Sequence, residues 1–162
     1  MRGVFLDLES INPRDLDLRP LHGVLEEWEL YPQSSPDTVA ERIRHAEVVV
    51  TNKVVLDRSA LQQAEKLKLV CVAATGTNNV DINTATRLGI AVSNARDYAT
   101  ASVAEHVFSL LLRLIRQLES YHARVRKGHW STSEHFCLFD RTIDELADKS
   151  IGIIGYGVLG QR

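Results

Sequence analysis

The chain has 162 residues, of which 44% are apolar and 25% charged, with a formal net charge of −2. That length and apolar share allow a packed core and exclude a disordered tail. The charge balance leaves no basic excess for neutralising nucleic-acid phosphates or an anionic membrane, so neither is expected as a partner.

In chain order, charge at Arg2 and Asp7 interrupts any signal-peptide core, and no apolar run is long enough to span a bilayer. Of two cysteines, Cys71 and Cys137, the first sits inside an apolar run and reads as a small hydrophobe. A reduced, cytoplasmic protein is the expectation. Apolar runs predict strands over 4–6, 28–31, 48–50, 69–73 and 90–92. Helical spacing predicts helices over 36–45, 58–65 and 80–88. Strands alternating with helices imply βαβ units and a parallel sheet with helices on both faces. Asp57 is placed to cap the second helix, and Gly89 to follow the third in a left-handed conformation.

The pattern then changes. Val103, Val107, Leu110, Leu114, Leu118, Tyr121 and Val125 recur at steps of three and four, which predicts one helix over 102–126. Ala104, Phe108, Leu111 and Ile115 add a second stripe. Such a helix would be about 40 Å long. Two apolar faces predict that it lies between layers or against another subunit. Lys127 and Gly128 end it. A loop with Trp130, His135 and Phe136 follows, then a short helix over 143–147. The strand-like run 151–154 leads directly into a glycine-rich turn.

That turn, Gly155-Tyr156-Gly157-Val158-Leu159-Gly160, has dinucleotide-binding spacing. Gly155 permits the tight turn, Gly157 permits close approach of a pyrophosphate, and Gly160 permits close packing of the following helix. The acidic residue that would hold a ribose, about twenty residues on, falls past Arg162. A second loop, 74–81, follows the strand at 69–73 and so lies at a C-terminal strand end, where open α/β sheets bind ligands. Gly76 admits unusual backbone angles, and the N–H groups of Thr75, Gly76 and Thr77 could form a nest for a small carboxylate. Taken alone, the loop reads first as a hydrogen-bonded turn with Asn79 capping the next helix. Lys53, also after a strand, could add positive charge, although a lone loop lysine is usually just solvated. Ser102 and Glu105 match a capping box, which needs no further role but would also suit a helix start facing a cofactor.

Two further groupings are set aside. His129, Glu134, His135 and Cys137 match no common zinc spacing, so no metal is expected. Glu105, His106 and Asp97 have no nucleophile placed beside them.

The ordered set TNKVVLD, KLKLVCVAATGTNNVD, LGIAVSN, TASVAEHVFSLLL, GHW and GIIGYGVLG resembles the D-isomer-specific 2-hydroxyacid dehydrogenase family, nearest its glycerate dehydrogenase (hydroxypyruvate reductase) branch. The resemblance implies an α/β fold: a flavodoxin-like parallel-sheet substrate domain over 1–98, then over 99–162 an interdomain and dimerisation helix with the first strand and fingerprint of a Rossmann domain. It implies NAD or NADP as cofactor, a small 2-hydroxy or 2-keto acid as substrate, and a homodimer built on 102–126. By position it implies substrate contacts at Lys53, Thr75, Gly76 and Thr77. Cofactor contacts would be Ser102, Gly155, Tyr156, Gly157, Val158, Leu159 and Gly160. The family's catalytic arginine, glutamate and histidine follow the fingerprint, past residue 162, so no catalytic residue is expected here and a chain of this extent alone should be inactive. The other readings are a non-catalytic carboxylate-binding or dimerisation module and a corepressor-like NAD sensor. An apolar strand left without neighbours argues for a piece of a longer enzyme over an independent module.

Overall fold

Five four-residue strands, all parallel, carry the first part of the chain: β1 (Arg2–Phe5), β2 (Glu27–Leu30), β3 (Val48–Thr51), β4 (Leu69–Val72) and β5 (Ala91–Asn94). The computed structural model describes residues 1–139 and 142–162. Between the strands lie α1 (Arg19–His22), α2 (Pro36–Ile43), α3 (Arg58–Gln63) and α4 (Ile82–Arg87). The Val-Val-Val-Thr of β3 shows why a strand forms there: β-branched side chains are stiff at χ1 and fit a pleated surface.

The strand order is β2-β1-β3-β4-β5, the flavodoxin-like arrangement. The chain runs outward from β1 to β2, then returns past β1 to β3. Because crossovers are right-handed, α1 falls on one face and α2, α3 and α4 on the other. The connection therefore reverses between β1 and β3, and the carboxyl ends of those strands form the crevice in which such sheets bind ligands.

The core lies under the three-helix face. Val4 from β1 and Leu6 just after it, Val49 from β3, and Val70 and Val72 from β4 meet Val39 and Ile43 of α2, Leu61 of α3 and Ala85 of α4. Leu6, Ile43, Leu56 and Leu61 are fully buried, each stabilising the fold by about 1.5–3 kcal/mol relative to exposure. On the other face Trp28 lies over Gly3: a Cβ on Gly3 would stand 2.6 Å from the Trp28 ring and 2.7 Å from Leu25. The indole N–H donates to the Leu21 carbonyl at 2.9 Å and fixes the ring. Cys71 is half-buried, and burial pushes its thiol up from the usual cysteine range.

The helix signals read from sequence act as expected at two places. The Asp57 carboxylate accepts the Ala60 N–H at 2.8 Å, and Gly89 has φ +71° directly after the α4 cap. At the third helix the cap differs. Asp81, not Asn79, accepts the Thr84 N–H at 2.9 Å and the Thr84 hydroxyl at 2.7 Å. These two bonds hold the Asp81 carboxyl below the usual carboxylate range.

The chain divides into two compact units, Met1–Arg96 and Asp97–Arg162. The second contains α5 (Thr100–Ile115), α6 (Leu118–Arg126) and α7 (Val158–Gln161), with α6 and α7 both against α5. Here the structure corrects the sequence reading three times. The expected single helix over 102–126 is broken at Gln117, which takes left-handed angles of φ 50° and ψ 38°. Its side-chain amide donates to the Thr142 carbonyl at 2.7 Å, and Arg113 pairs with Glu119 across the break. These contacts offset the roughly 1–2 kcal/mol that a non-glycine residue spends in that conformation. The run 151–154 forms no strand. Strand geometry needs a hydrogen-bonded neighbour, none is present among the described residues, and Ile154 is fully exposed. The short helix expected over 143–147 is irregular chain ending in a turn, closed by the Lys149 N–H on the Leu146 carbonyl at 3.1 Å. That single bond does not make a helical nucleus.

Candidate functional site

The first unit presents three loops on the carboxyl edge of its sheet. Asp7 follows β1, Asn52 and Lys53 follow β3, and residues 74–79 follow β4. Since β3 and β4 are adjacent and parallel, the loops carrying Lys53 and Thr75–Thr77 share one edge, as both lying after strands required. Lys53 is exposed, as are Thr75 and Gly76, while Thr77 is half-buried. The backbone N–H groups of Thr75, Gly76 and Thr77 donate to no acceptor among the described residues. The Thr75 carbonyl is held by the Asn94 amide at 2.7 Å and the Thr77 carbonyl by the Val80 N–H at 3.0 Å. The loop is therefore fixed through its acceptors and leaves its donors open.

One expectation about this loop needs correction. Gly76 does not adopt a left-handed conformation; the positive-φ glycines are Gly89, Gly128 and Gly155. A Cβ on Gly76 would lie 3.1 Å from the Asn78 side-chain oxygen. Glycine is thus used here for space beside Asn78 rather than for an unusual backbone angle.

Behind Lys53 the backbone is tightly held. Both oxygens of the buried Asp7 carboxylate are used: Oδ1 accepts the Asn52 N–H at 2.9 Å, and Oδ2 accepts the N–H of Lys53 at 2.6 Å and of Val54 at 3.1 Å. The Asn52 amide reaches the Ser10 hydroxyl at 3.0 Å. From the other side the Asn79 amide donates to the Val54 carbonyl at 3.1 Å and the Asn52 carbonyl at 3.5 Å. A cavity of about 460 Å³ opens beside this loop at the reversal between β1 and β3, with Asp7, Ser10, Ser34, Lys53 and Val54 on its wall. Sequence reading missed Asp7 and Ser10 as members of this edge, and it placed Asn79 there only as a helix cap. Asp7 carried a usable signal, being an acid directly after a strand.

In the second unit Ser102 is exposed in the first turn of α5 and caps nothing. The helix starts at Thr100 with Ala99 in the cap position. The expected capping box does not form: the cap position lies three residues earlier than Ser102, at Ala99, which offers no side-chain hydrogen bond. The glycine turn fits its mechanical expectation in part. Gly155 has φ +101°, which excludes a side chain without strain. A Cβ on Gly157 would meet nothing within 4 Å, leaving an open approach to its backbone. A Cβ on Gly160 would stand 2.1 Å from the Gly155 carbonyl oxygen. Gly160 thus closes the turn on itself, where sequence reasoning had assigned it to contact between helix and sheet. Tyr156, Val158 and Leu159 are exposed. Among the described residues no group of histidine, cysteine or carboxylate side chains could hold a metal ion.

Comparison with known proteins agrees with this architecture. The family model described as D-isomer specific 2-hydroxyacid dehydrogenase, catalytic domain, matches residues 6–148. A glycerate dehydrogenase from Methylorubrum extorquens is 42% identical over 98% of this chain and 49% of its own length. A hydroxypyruvate reductase from Blautia hydrogenotrophica is 38% identical over 99% of this chain and 51% of its own. The chain thus spans about half the length of the curated relatives it matches. The solved D-lactate dehydrogenase of Aquifex aeolicus, complexed with NAD and lactic acid, superposes with a TM-score of 0.75 at 22% identity, covering 99% of this chain and 46% of that one. At that identity the likeness speaks for the fold. With the sheet order, the loop placement and a family match across most of its residues, the chain belongs to the D-isomer-specific 2-hydroxyacid dehydrogenase family.

Proposed function

We propose that this chain supplies the substrate-binding part, and the first elements of the dinucleotide-binding part, of a dehydrogenase that interconverts small 2-keto and 2-hydroxy acids. Hydroxypyruvate and glycerate are the favoured pair, by likeness to the glycerate dehydrogenase and hydroxypyruvate reductase relatives. The observation that carries this reading is the placement of the open N–H donors at Thr75, Gly76 and Thr77 and of Lys53 on one sheet edge. A carboxylate accepts from backbone N–H groups and is favoured by a nearby cation. The substrate is then held by its carboxylate, with its carbonyl carbon directed to the cofactor. NAD is the expected cofactor, without distinction from NADP. When bound, it supplies the hydride that adds to that carbon while a proton reaches the carbonyl oxygen. Gly155, Tyr156, Gly157, Val158, Leu159 and Gly160 are assigned to its pyrophosphate, and Ser102 to the helix start beside it. The open space over Gly157 is what such a group needs.

The test of the substrate site uses the chain completed with the second half of the Methylorubrum extorquens relative. Lys53→Met should raise KM for hydroxypyruvate at least ~10-fold, the effect of losing a charge-assisted contact worth about 1.5–3 kcal/mol. It should change KM for NADH little. An unaltered hydroxypyruvate KM would sink the assignment.

We also assign the second unit to a homodimer interface. Val107, Phe108, Leu110 and Leu114 of α5 are exposed, Leu114 to 76%, and contiguous apolar surface of this kind marks an association site. Leu110→Asp with Leu114→Asp should convert the assembly to monomer by light scattering, and a dimer of undiminished mass would show these residues to be uninvolved. A cytoplasmic location fits the two free cysteines, and no helix among the described residues is long and apolar enough to cross a membrane.

A further inference from the structure

We propose that Asp7 and Asn79 are positioning residues that clamp the Lys53 loop from both sides and so set where the Lys53 ammonium stands. The inference deepens the substrate-site reading and rests on it. Asp7 comes from the end of β1, and its carboxylate gathers three consecutive backbone N–H groups, those of Asn52, Lys53 and Val54. A carboxylate offers about four lone-pair sites and no donor, so it can accept all three bonds. An amide of the same shape must turn its NH2 toward at least one of those N–H groups. Asn79 comes from the end of the β4 loop and takes the opposite polarity. Its NH2 donates to the carbonyls of Asn52 and Val54, the residues on either side of Lys53.

The clamp is buried and built from distant segments. Asp7 is 4% exposed and Asn79 8%, and Asp7 is separated from its partners by 45 to 47 residues. The Asn79 side-chain oxygen is enclosed with no hydrogen-bond partner among the described residues. An orphaned acceptor is unfavourable in an interior, so the residue is held in this orientation by what its NH2 does. The same residue ties the two loops together through its backbone, since the Leu56 N–H donates to the Asn79 carbonyl at 2.8 Å. Between these fixed peptides the Lys53 side chain alone projects into solvent at the cavity wall. A flexible lysine gains precision at an anion only if its Cα is fixed.

Two measurements on Asp7→Asn decide this. In chain 1–162, amide hydrogen exchange at Asn52, Lys53 and Val54 should speed up at least ~10-fold while Val70 and Val72 of β4 stay protected. In the completed enzyme, Asp7→Asn should raise hydroxypyruvate KM at least ~10-fold with kcat within about threefold and NADH KM unchanged. In a Lys53→Met background it should add less than about twofold, because both changes then act through one ammonium group. Asn79→Leu should reproduce the kinetic pattern from the other side. Protection at 52–54 equal to the parent's would overturn the clamp whatever Lys53→Met does. Fully additive effects of Asp7→Asn and Lys53→Met would show that Asp7 acts otherwise than through Lys53. Lys53→Met with an unaltered KM would remove the substrate reading itself, which the exchange measurement does not depend on.

Discussion

Purified 1–162 mixed with NADH and hydroxypyruvate should leave the NADH absorbance unchanged, and completing the chain with the second half of its glycerate dehydrogenase relative should restore turnover. Reduction of a ketone needs a proton donor within about 3 Å of the carbonyl oxygen, worth roughly 10²–10⁴ in rate. It also needs preorganised positive charge or donors for the developing oxyanion, worth another ~10²–10³. On the carboxyl edge of the sheet Lys53 is assigned to the substrate carboxylate rather than to the oxyanion, and the described residues of that edge include no histidine for the proton. His22 ends α1, and His45 lies ahead of β3 at the opposite end of the strands, 3.4 Å from Glu65. In the second unit His129 meets Arg124 at 3.2 Å, and His135 stacks edge-on against Phe139. Neither arrangement is an imidazole oriented by a carboxylate, which a general acid–base requires. Loss of both terms together reduces the rate by roughly 10⁴–10⁷, below what absorbance resolves. Steady NADH oxidation by 1–162 alone would mean that one of the chain's six histidines does the chemistry and that the division of roles proposed here is wrong.

What the sequence made legible follows how local each determinant is. β3 was readable because Val48 to Val50 state their preference within three residues, and α3 was readable because Asp57 caps it from the adjacent position. The α5 start was misjudged because Ser102 and Glu105 carry the right spacing while the helix begins earlier, at Thr100. Spacing shows what a cap could do, not which residue the preceding chain delivers to the first turn. The run 151–154 was read as a strand from its apolar character, but pairing is a property of two segments, and Ile151, Ile153 and Ile154 lie exposed without one. Asp7 was passed over for the same reason in reverse. Between Leu6 and Leu8 it is one acid in an apolar run, and nothing nearby announces that its partners are the amides of 52–54. Asn79 was read locally as a helix cap, and Asp81 holds that place. The sheet order entered only through the family resemblance, since periodicity identifies strands but not their neighbours.

Gly157→Val in the completed enzyme should weaken NADH binding at least ~5-fold while leaving the fold intact. The three glycines of the turn differ as probes. Gly155 holds φ +101°, so any side chain there strains the backbone directly. Gly160 packs against the Gly155 carbonyl, where a Cβ would stand 2.1 Å away and break the turn. Loss of binding at either position would report a damaged loop. Gly157 has φ −83° and ψ −164°, extended angles that valine adopts freely, and its Cβ would meet nothing within 4 Å. The branched side chain therefore disturbs only what occupies the space outside the protein. If a pyrophosphate rests there, overlap with two methyl groups costs about 1–3 kcal/mol, which is roughly 5- to 150-fold in affinity. Circular dichroism and the urea midpoint of 1–162 should be the same with and without the substitution, and hydroxypyruvate KM at saturating NADH should hold. An NADH titration superimposable on the parent's would show that the backbone of Gly157 is not where the cofactor lies. Parallel loss of NADH affinity and of the urea midpoint would instead identify Gly157 as part of the turn's own packing.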